Sequence, residues 1–334
     1  MENFMSKYFW IVALFVTIPL TSFADISPDR NFKAKTTKIV GGVKSPPGSW
    51  PSTVALLSVP TINAVESGTA TDPNTGVIIP ASEANYQAQI CGASLIAPNW
   101  VLTAAHCVVD STTGVTIQPS VLTTLVGTSD LLSGGNRISI KRIIVHPNYS
   151  NITTDSDLAL LELVSSTSVP TIGFADVDIP TGTLATVVGW GALDSAVSIF
   201  PSSLYEVDVP IVNRATCDAV YNSSGSTLFT GNMICAGYAA GGKDTCQADS
   251  GGPLMDFYKG NLVQVGITSW GVGCAQPGLY GVYTRLNNFK GWINSYITPS
   301  SGGGSFFFLL FPFSVLVLFN LFVKLQGGRD ENSK

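Results

Sequence analysis

The chain has 334 residues, enough for one large domain or two small ones, and only 12% of them are charged, about half of the ~25% usual in soluble globular domains. Part of this deficit comes from two nearly pure apolar runs at the ends, which are typical of targeting segments rather than of a core. Residues 39–298 carry nine Lys and Arg against seventeen Asp and Glu, a net charge of −8, which argues against a phosphate-binding surface and a nucleic-acid partner.

The first 24 residues have the three-part layout of a secretion signal. Lys7 precedes the apolar stretch 9–20, and Ser22 and Ala24 provide small residues at a cleavage site, so we expect cleavage after Ala24. An uncleaved membrane anchor is the alternative, although twelve apolar residues are short for ~30 Å of hydrocarbon.

In an exported chain the even number of cysteines, six with no C-x-x-C spacing, predicts three disulfides and an oxidising compartment rather than a zinc cluster.

From residue 39 onward, short runs rich in Val, Ile, Leu and Thr alternate with clusters of Gly, Pro, Asn and Ser. Such runs predict strands, and the clearest are residues 101–102, 138–145, 158–164, 184–188 and 262–269. The polar stretch Val59 to Gln89 predicts an inserted surface loop. A helical period appears only at residues 286–297. We therefore expect an antiparallel all-β barrel or sandwich that ends in one helix.

The end of the chain predicts a tether, a single span and a short tail. Residues 299–305 have the composition of a flexible Gly/Ser linker, and residues 306–323 are just long and apolar enough to cross a bilayer. Lys324 and Arg329 favour a cytoplasmic position for residues 324–334, although two acidic residues weaken this signal.

The same end also resembles the Gly-Gly sorting segment of some bacterial exported proteins, which is thought to be trimmed by an intramembrane protease. Permanent anchoring in the membrane and trimming with release from the surface are both open at this point. A glycolipid-anchor signal agrees less well, because such signals normally end in the apolar run and this chain continues from Gln326 to Lys334.

Catalysis by a serine nucleophile needs a neutral imidazole that accepts the hydroxyl proton and a carboxylate that orients the imidazole. Of the two histidines, His106 ends an apolar run, whereas His146 lies in a turn-like His-Pro-Asn-Tyr segment that predicts a solvated structural role. Asp157 is a lone carboxylate that enters a buried strand and needs a hydrogen-bonding partner. Ser250 precedes two glycines, which permit the tight backbone path that exposes a nucleophile.

Three motifs in the order His, Asp, Ser carry a specific resemblance to the trypsin-like serine proteases. They are Thr103-Ala104-Ala105-His106-Cys107, Asp157-Leu158-Ala159-Leu160-Leu161 and Asp249-Ser250-Gly251-Gly252-Pro253, and Gly189-Trp190-Gly191, residues 232–237 and the final helix extend the match across residues 39–298. The resemblance implies two six-stranded antiparallel β-barrels with the active site between them. It implies that His106 is the general base, Asp157 its orienting group and Ser250 the nucleophile. The disulfides that it implies are Cys91 with Cys107, Cys217 with Cys235, and Cys246 with Cys274.

The resemblance also implies that the chain is made as a zymogen. Lys38-Ile39-Val40-Gly41-Gly42 resembles the family's activation junction, so residues 25–38 are expected to be a propeptide. Cleavage after Lys38 by an activating protease would free the α-amino group of Ile39. That cation is expected to pair with Asp249 and to order the specificity pocket and the oxyanion hole.

A specificity for Arg or Lys before the cut bond follows from the same comparison. Asp244 matches the aspartate at the floor of the pocket in relatives with trypsin specificity, and a buried carboxylate there requires a cation. Ser269 matches a residue that helps to orient the triad aspartate. The other substrate-site matches are Thr245 and the pocket-wall glycines Gly271 and Gly281.

Two positions depart from the family pattern. Ala248 stands where the family usually has glycine, and its N–H is expected to form the oxyanion hole with the N–H of Ser250. If this residue needs a positive φ, alanine costs about 1–2 kcal/mol of strain. The sequence then predicts an enzyme that is slow or that accepts few substrates.

Tyr280 is the second departure: it replaces the proline of digestive trypsins and fits either a sodium site behind the pocket or ordinary packing. A calcium loop is not expected, because residues 126–140 contain one acidic side chain, Asp130, and no cofactor is predicted.

The sequence therefore predicts an exported serine endopeptidase, anchored at the cell surface or released from it, that acts on protein or peptide substrates. The alternative is a protease-shaped binding module of low or no activity that docks a partner through residues 59–89. Ala248 favours this alternative slightly, and the intact triad residues argue against it.

Overall fold

The computed structural model describes residues 41–175, 177–193, 200–222, 228–246 and 248–298. The predicted signal peptide, propeptide, linker, apolar span and tail all lie outside the described residues, as do Lys38 and Ile39 of the activation junction. In the part of the chain that is described, no helix is long and apolar enough to span a bilayer.

Fourteen strands and four α-helices are found in the described residues. The strands are β1 (Val43–Lys44), β2 (Thr53–Ser58), β3 (Gln89–Ala97), β4 (Trp100–Thr103), β5 (Leu122–Val126), β6 (Asn136–Val145), β7 (Ala159–Leu163), β8 (Gly173–Phe174), β9 (Leu184–Gly189), β10 (Tyr205–Pro210), β11 (Met233–Ala236), β12 (Pro253–Tyr258), β13 (Asn261–Trp270) and β14 (Gly281–Arg285). The helices are α1 (Val59–Glu66), α2 (Ala84–Ala88), α3 (Arg214–Tyr221) and α4 (Lys290–Ile297). The five runs predicted as strands are confirmed as β4, β6, β7, β9 and β13.

Six strands of the first half form a closed barrel in the order β2-β3-β4-β7-β6-β5, in which β5 pairs back to β2. Its interior is filled by fully buried aliphatic side chains, among them Leu56, Leu95, Leu102 and Leu160. Burial of such side chains is the main free energy that holds a barrel together. The expected six-stranded barrel is therefore confirmed for this half.

The second half is an open sheet rather than the second closed barrel that the resemblance implied. Its order is β1-β10-β9-β12-β13-β14-β11, and β8 adds to β13 in parallel. The ends of β10 and β11 meet only at one bridge between Ile211 and Ala236, beside hydrogen bonds from Val212 N to Cys235 O and from Gly237 N to Pro210 O. This contact does not extend into a ladder, so the described residues of the second half form a half-barrel.

Residues 59–89 are only in part the surface loop that their polar composition predicts: residues 67–83 have no buried side chain, but the two ends of the segment form α1 and α2. The Ser58 side chain caps α1, with Pro60 in its first turn. Ile62, Val65 and Tyr86 are buried in a cluster that also contains Leu57, Leu125, Trp190 and Leu204. The insertion is therefore a pair of short helices packed on the barrel. The helices are too short for a helical period to be recognised in the sequence.

Two further local predictions are corrected. Helix α3, capped by Asn213, was not predicted, again because it has only eight residues. His146 is not solvated: its ring packs edge-on against Phe289 and Trp292 of the C-terminal helical segment, with centroids 5.0 and 4.9 Å away. This burial lowers the pKa of His146, so the side chain has a structural role as a neutral ring. The expected C-terminal helix is confirmed as α4.

The three disulfides join the cysteines in the pairs that the resemblance implied. Polar contacts inside the protein also connect the barrel and the half-barrel. Gln264 of β13 is fully buried, accepts a hydrogen bond from Ser94 Oγ at 2.7 Å and donates one to Gly266 O at 2.9 Å. A buried amide is stable only with such partners.

Candidate active site

His106 and Asp157 form a hydrogen-bonded pair between the barrel and the half-barrel. His106 Nδ1 lies 2.7 Å from Asp157 Oδ2, and the His106 backbone N–H donates to Asp157 Oδ1 at 3.0 Å. Ser269 Oγ also donates to Asp157 Oδ2, at 2.5 Å. With Nδ1 engaged, the free nitrogen of the ring is Nε2, and the His106 side chain is 28% exposed. A substrate can therefore reach the ring.

The electrostatics of the pair suit proton transfer. Burial raises the pKa of Asp157, but the charge of His106 and the hydrogen bonds from His106 and Ser269 outweigh this, and the net pKa lies below the usual value. Burial lowers the pKa of His106, and the charge and hydrogen bond of Asp157 together raise it above the usual value. The carboxylate thus stays ionised and stabilises an imidazolium.

Ser250 is held beside this pair by the backbone of the surrounding strands. Gly92 N donates to Ser250 O, and Gly251 N donates to Thr268 O, each at 2.8 Å. A side chain at Gly251 (φ +80°) would place its Cβ only 2.2 Å from Thr103 Oγ1, so glycine is required there. This close approach brings the serine next to the end of β4, from which the chain continues to His106.

The Cys91–Cys107 disulfide lies against both catalytic candidates. Cys107 Sγ is 3.8 Å from His106 Nε2 and 3.6 Å from Ser250 O. In the described residues no hydrogen bond joins Ser250 Oγ to His106 Nε2. Such bonds are often long before substrate binds. The cluster of Cys91, His106 and Cys107 has metal-like spacing, but both sulfurs are in the disulfide and cannot serve as thiolate ligands.

Asp249 is fully buried and accepts two backbone hydrogen bonds, from Gly191 N at 2.8 Å and from Cys246 N at 3.0 Å. Burial raises its pKa to about 7. Side chains at Gly189 or Gly191 would overlap this carboxylate, which explains the Gly189-Trp190-Gly191 motif. Because Ile39 lies outside the described residues, its pairing with Asp249 stays a prediction.

Ala248 has a positive φ, the conformation in which an alanine at this position is strained. Its φ is +69°, a left-handed conformation that costs a non-glycine residue about 1–2 kcal/mol. The peptide that follows is held at both ends, since Asp249 N donates to Cys246 O at 3.1 Å and Gln89 Nε2 donates to Ala248 O at 3.0 Å. The contact from Gln89 was not predicted.

The residues assigned to a specificity pocket lie together. Asp244 is 5% exposed and accepts hydrogen bonds from Thr245 N at 2.8 Å and Ala275 N at 3.0 Å. A Cβ built on Gly281 would lie 2.7 Å from Asp244 Oδ1, and one built on Gly271 would lie 4.0 Å from the Cα of Gly281. Burial raises the pKa of Asp244 to about 6. Among the described residues Asp244 has no cationic partner, and its role in substrate specificity stays a prediction.

The turn before Asp157 contains functional neighbours that the sequence did not indicate. Asp155 accepts hydrogen bonds from Asn232 Nδ2 at 3.1 Å, from Ser156 Oγ at 3.2 Å and from Thr230 Oγ1. Thr154 and Ser156 on either side have positive φ, +52° and +55°. Asp155 therefore fixes a strained turn that leads into Asp157. No local signal in the sequence could reveal this, because Thr230 and Asn232 lie more than seventy residues away.

Tyr280 is buried beside Gly281. The Tyr221 hydroxyl donates to Tyr280 O and accepts a hydrogen bond from Tyr280 N at 2.8 Å. This contact provides a packing and hydrogen-bonding role for the residue. A sodium site behind the pocket stays a prediction.

A closed β-barrel joined to a half-barrel, a hydrogen-bonded His–Asp pair and a serine held beside it define a hydrolase that acts by acyl transfer to serine. Residues 39–293 match the trypsin family model. The chain therefore belongs to the trypsin family and is a serine-type endopeptidase.

Two relatives show the extent of the similarity. The chain is 41% identical to trypsin Blo t 3 of Blomia tropicalis over 217 residues, which cover 63% of this chain and 77% of the relative. It is 35% identical to the suppressor of tumorigenicity 14 protein homolog of Bos taurus over 279 residues, which cover 80% of this chain. The match covers only 29% of that second relative, so its similarity concerns one part of a longer protein.

Proposed function

We propose that the chain is an exported zymogen whose mature form hydrolyses the peptide bond after Arg or Lys in protein or peptide substrates. The observation that best supports a specificity for Arg or Lys is the buried Asp244 carboxylate. It lies against Gly281 and has no cation beside it in the described part of the chain. An isolated buried charge is costly, and a guanidinium or ammonium group from the substrate removes that cost.

The proposed reaction proceeds through a covalent acyl-enzyme. His106 Nε2 accepts the proton of Ser250 Oγ as the oxygen attacks the carbonyl carbon, and Asp157 stabilises the imidazolium. The N–H groups of Ala248 and Ser250 stabilise the oxyanion. His106 then gives the proton to the leaving amine, and water repeats the sequence on the ester, which releases the acid and restores the serine.

Export and activation rest on sequence outside the described residues. The secretion signal, the junction after Lys38 and the apolar segment 306–323 support a zymogen carried to the cell surface, where it is either anchored or trimmed and released. The buried Asp249 supports activation by cleavage, because its raised pKa, about 7, indicates a carboxylate that a nearby cation would stabilise.

Substrate preference and an Asp244→Ser variant test the specificity. The mature enzyme should hydrolyse blocked arginyl and lysyl esters and should discriminate against the matching phenylalanyl ester. The loss of one partner of a buried ion pair costs about 3–5 kcal/mol, so D244S should lower kcat/KM for the arginyl ester by roughly 10²–10⁴-fold. Asp218→Ser removes a partly exposed carboxylate of α3 and serves as the control. Equal activity on the phenylalanyl ester, or an unchanged preference in D244S, would refute this specificity.

The binding-module alternative is favoured by one observation, the strained backbone of Ala248. The two proposals differ in whether the serine reacts, and labelling of Ser250 by a fluorophosphonate probe separates them.

A further inference from the structure

We propose that the side of the barrel covered by α4 is a docking face for an anionic lipid surface, the headgroups of the membrane in which the chain is anchored. The docking face consists of Lys141 and Arg142 of β6, Val164 directly after β7, and Trp292 and Tyr296 of α4. The inference rests on one part of the proposed function, the anchoring of the chain by its apolar segment 306–323.

Three neighbouring strands provide the first part of the docking face. Arg142 of β6 pairs with Glu162 of β7, and Glu162 pairs with Trp100 of β4. The register between β6 and β7 shifts between Ile140 and Arg142, so Lys141 is the extra residue of a bulge. Bulges change the direction of side chains. Here two consecutive basic side chains are exposed, and both contact the Glu162 carboxylate.

The exposed charge of this group is positive. The side chains of Lys141 and Arg142 are 62% and 53% exposed, whereas that of Glu162 is 12% exposed. Two cations share one carboxylate, and residues 290–305 add Lys290 and no acidic side chain. Residues 39–298 as a whole have a net charge of −8, but charges more than about 8 Å away are largely screened at physiological salt. The local charge therefore favours an anionic partner.

Helix α4 provides the aromatic part of the docking face. The ring centroids of Trp292 and Tyr296 are 5.4 Å apart, and the exposed Tyr296 ring lies 6.3 Å from the ring of Trp100. Arg142 Cζ is 5.4 Å from the centre of the same Trp100 ring, so the aromatic and basic side chains form one continuous surface. Val164 adds an exposed apolar side chain. Trp and Tyr with neighbouring basic residues are typical of surfaces at the headgroup level of a membrane.

The position of α4 in the chain identifies the occupant of the docking face. Eight residues, 298–305, separate Ile297 at the end of α4 from the apolar segment 306–323. This length of chain reaches at most about 30 Å when fully extended. A short tether gives an effective concentration in the millimolar range, at which a weak contact with lipid headgroups is occupied. The membrane that holds the apolar segment is therefore the surface that the docking face meets.

Acylation of lysines in the full chain, reconstituted in lipid nanodiscs and followed by mass spectrometry, tests the docking. Lys141 should react roughly fivefold more slowly in phosphatidylglycerol discs than in phosphatidylcholine discs, because docking on the anionic lipid covers it. Lys44 of β1 and Lys259 between β12 and β13 are exposed lysines outside the docking face, and each should react equally in both lipids. High salt should remove the protection of Lys141, since it screens the attraction.

Arg142→Gln removes one exposed cation of the docking face. Loss of one basic residue weakens binding to an anionic surface roughly fivefold, so the protection of Lys141 in this variant should fall below about twofold. Lys259→Gln removes an exposed cation elsewhere and serves as the matched control, with unchanged protection of Lys141.

Equal reaction of Lys141 in both lipids, or the same protection in Arg142→Gln and wild type, would overturn the docking face, while retention of the chain in the discs upholds the anchoring. If the discs do not retain the chain, the anchoring fails. Acylation with added phosphatidylglycerol vesicles at millimolar lipid then decides the docking face alone: protection of Lys141 supports it, and an unprotected Lys141 overturns it.

Discussion

Ala248 stands where the resemblance to the family implies glycine, two residues before the nucleophile Ser250. The left-handed backbone is present, but the residue carries a methyl group that disfavours it. This conformation costs about 1–2 kcal/mol of strain. Hydrogen bonds surround the residue, and strained backbone of this kind is typical of active sites.

Ala248→Gly should therefore raise kcat/KM on small arginyl substrates, by up to about tenfold, because the oxyanion geometry then carries no conformational penalty. Steady-state kinetics of the mature enzyme measure this. Unchanged turnover would show that the alanine has no effect on the rate, and the expectation of a slow enzyme would then be wrong.

Asp244 predicts a pH dependence of cation binding. Its pKa is raised to about 6 by burial, and a bound cation favours the ionised form, so affinity is present above pH 6 and is lost as the pH falls through that value. The inhibition constant of benzamidine, a small cation, should rise up to about tenfold for each unit below pH 6. D244S, which lacks the carboxylate, should bind the compound weakly at every pH. A flat profile between pH 7 and 5 in the wild type would contradict the assignment.

At the scale of elements, the inserted helices α1 and α2 are part of the folded core. Ile62 lies in one cluster with Trp190 of the Gly189-Trp190-Gly191 motif, and Arg137 of β6 holds Glu66 and Asn85 at 2.6 Å each. The insertion thus reaches the second half of the protein beside Gly191, whose N–H contacts Asp249.

Ile62→Ala should destabilise the protein by about 2–4 kcal/mol, because it removes a buried side chain and leaves a cavity. Thermal unfolding measures the loss. The exposed Val77 of the same insertion, 64% accessible, provides the control, since Val77→Ala should change stability by less than about 0.5 kcal/mol. Equal, small effects of both substitutions would mean that the segment behaves as the loop first predicted.

Across the whole molecule, the features that the sequence predicts best are those that lie within short contiguous motifs. The motifs around His106, Asp157 and Ser250 are local strings, and the strands are local Val/Ile-rich runs. Other features depend on partners far along the chain: the contact of Gln89 with Ala248, the shared cluster of Ile62 and Trp190, and the burial of His146 against Phe289 and Trp292. The half-barrel depends on where β10 and β11 meet, which composition does not encode.

The proposed activity depends on a serine that is reactive because an imidazole and a carboxylate lie beside it. Labelling of the mature protein by a fluorophosphonate probe tests this most directly, with mass spectrometry to locate the label. We expect stoichiometric modification of Ser250, no labelling of Ser250→Ala, and slow labelling of His106→Ala. A correctly folded mature protein, starting at Ile39, that takes up no label would contradict it and would favour the binding-module alternative.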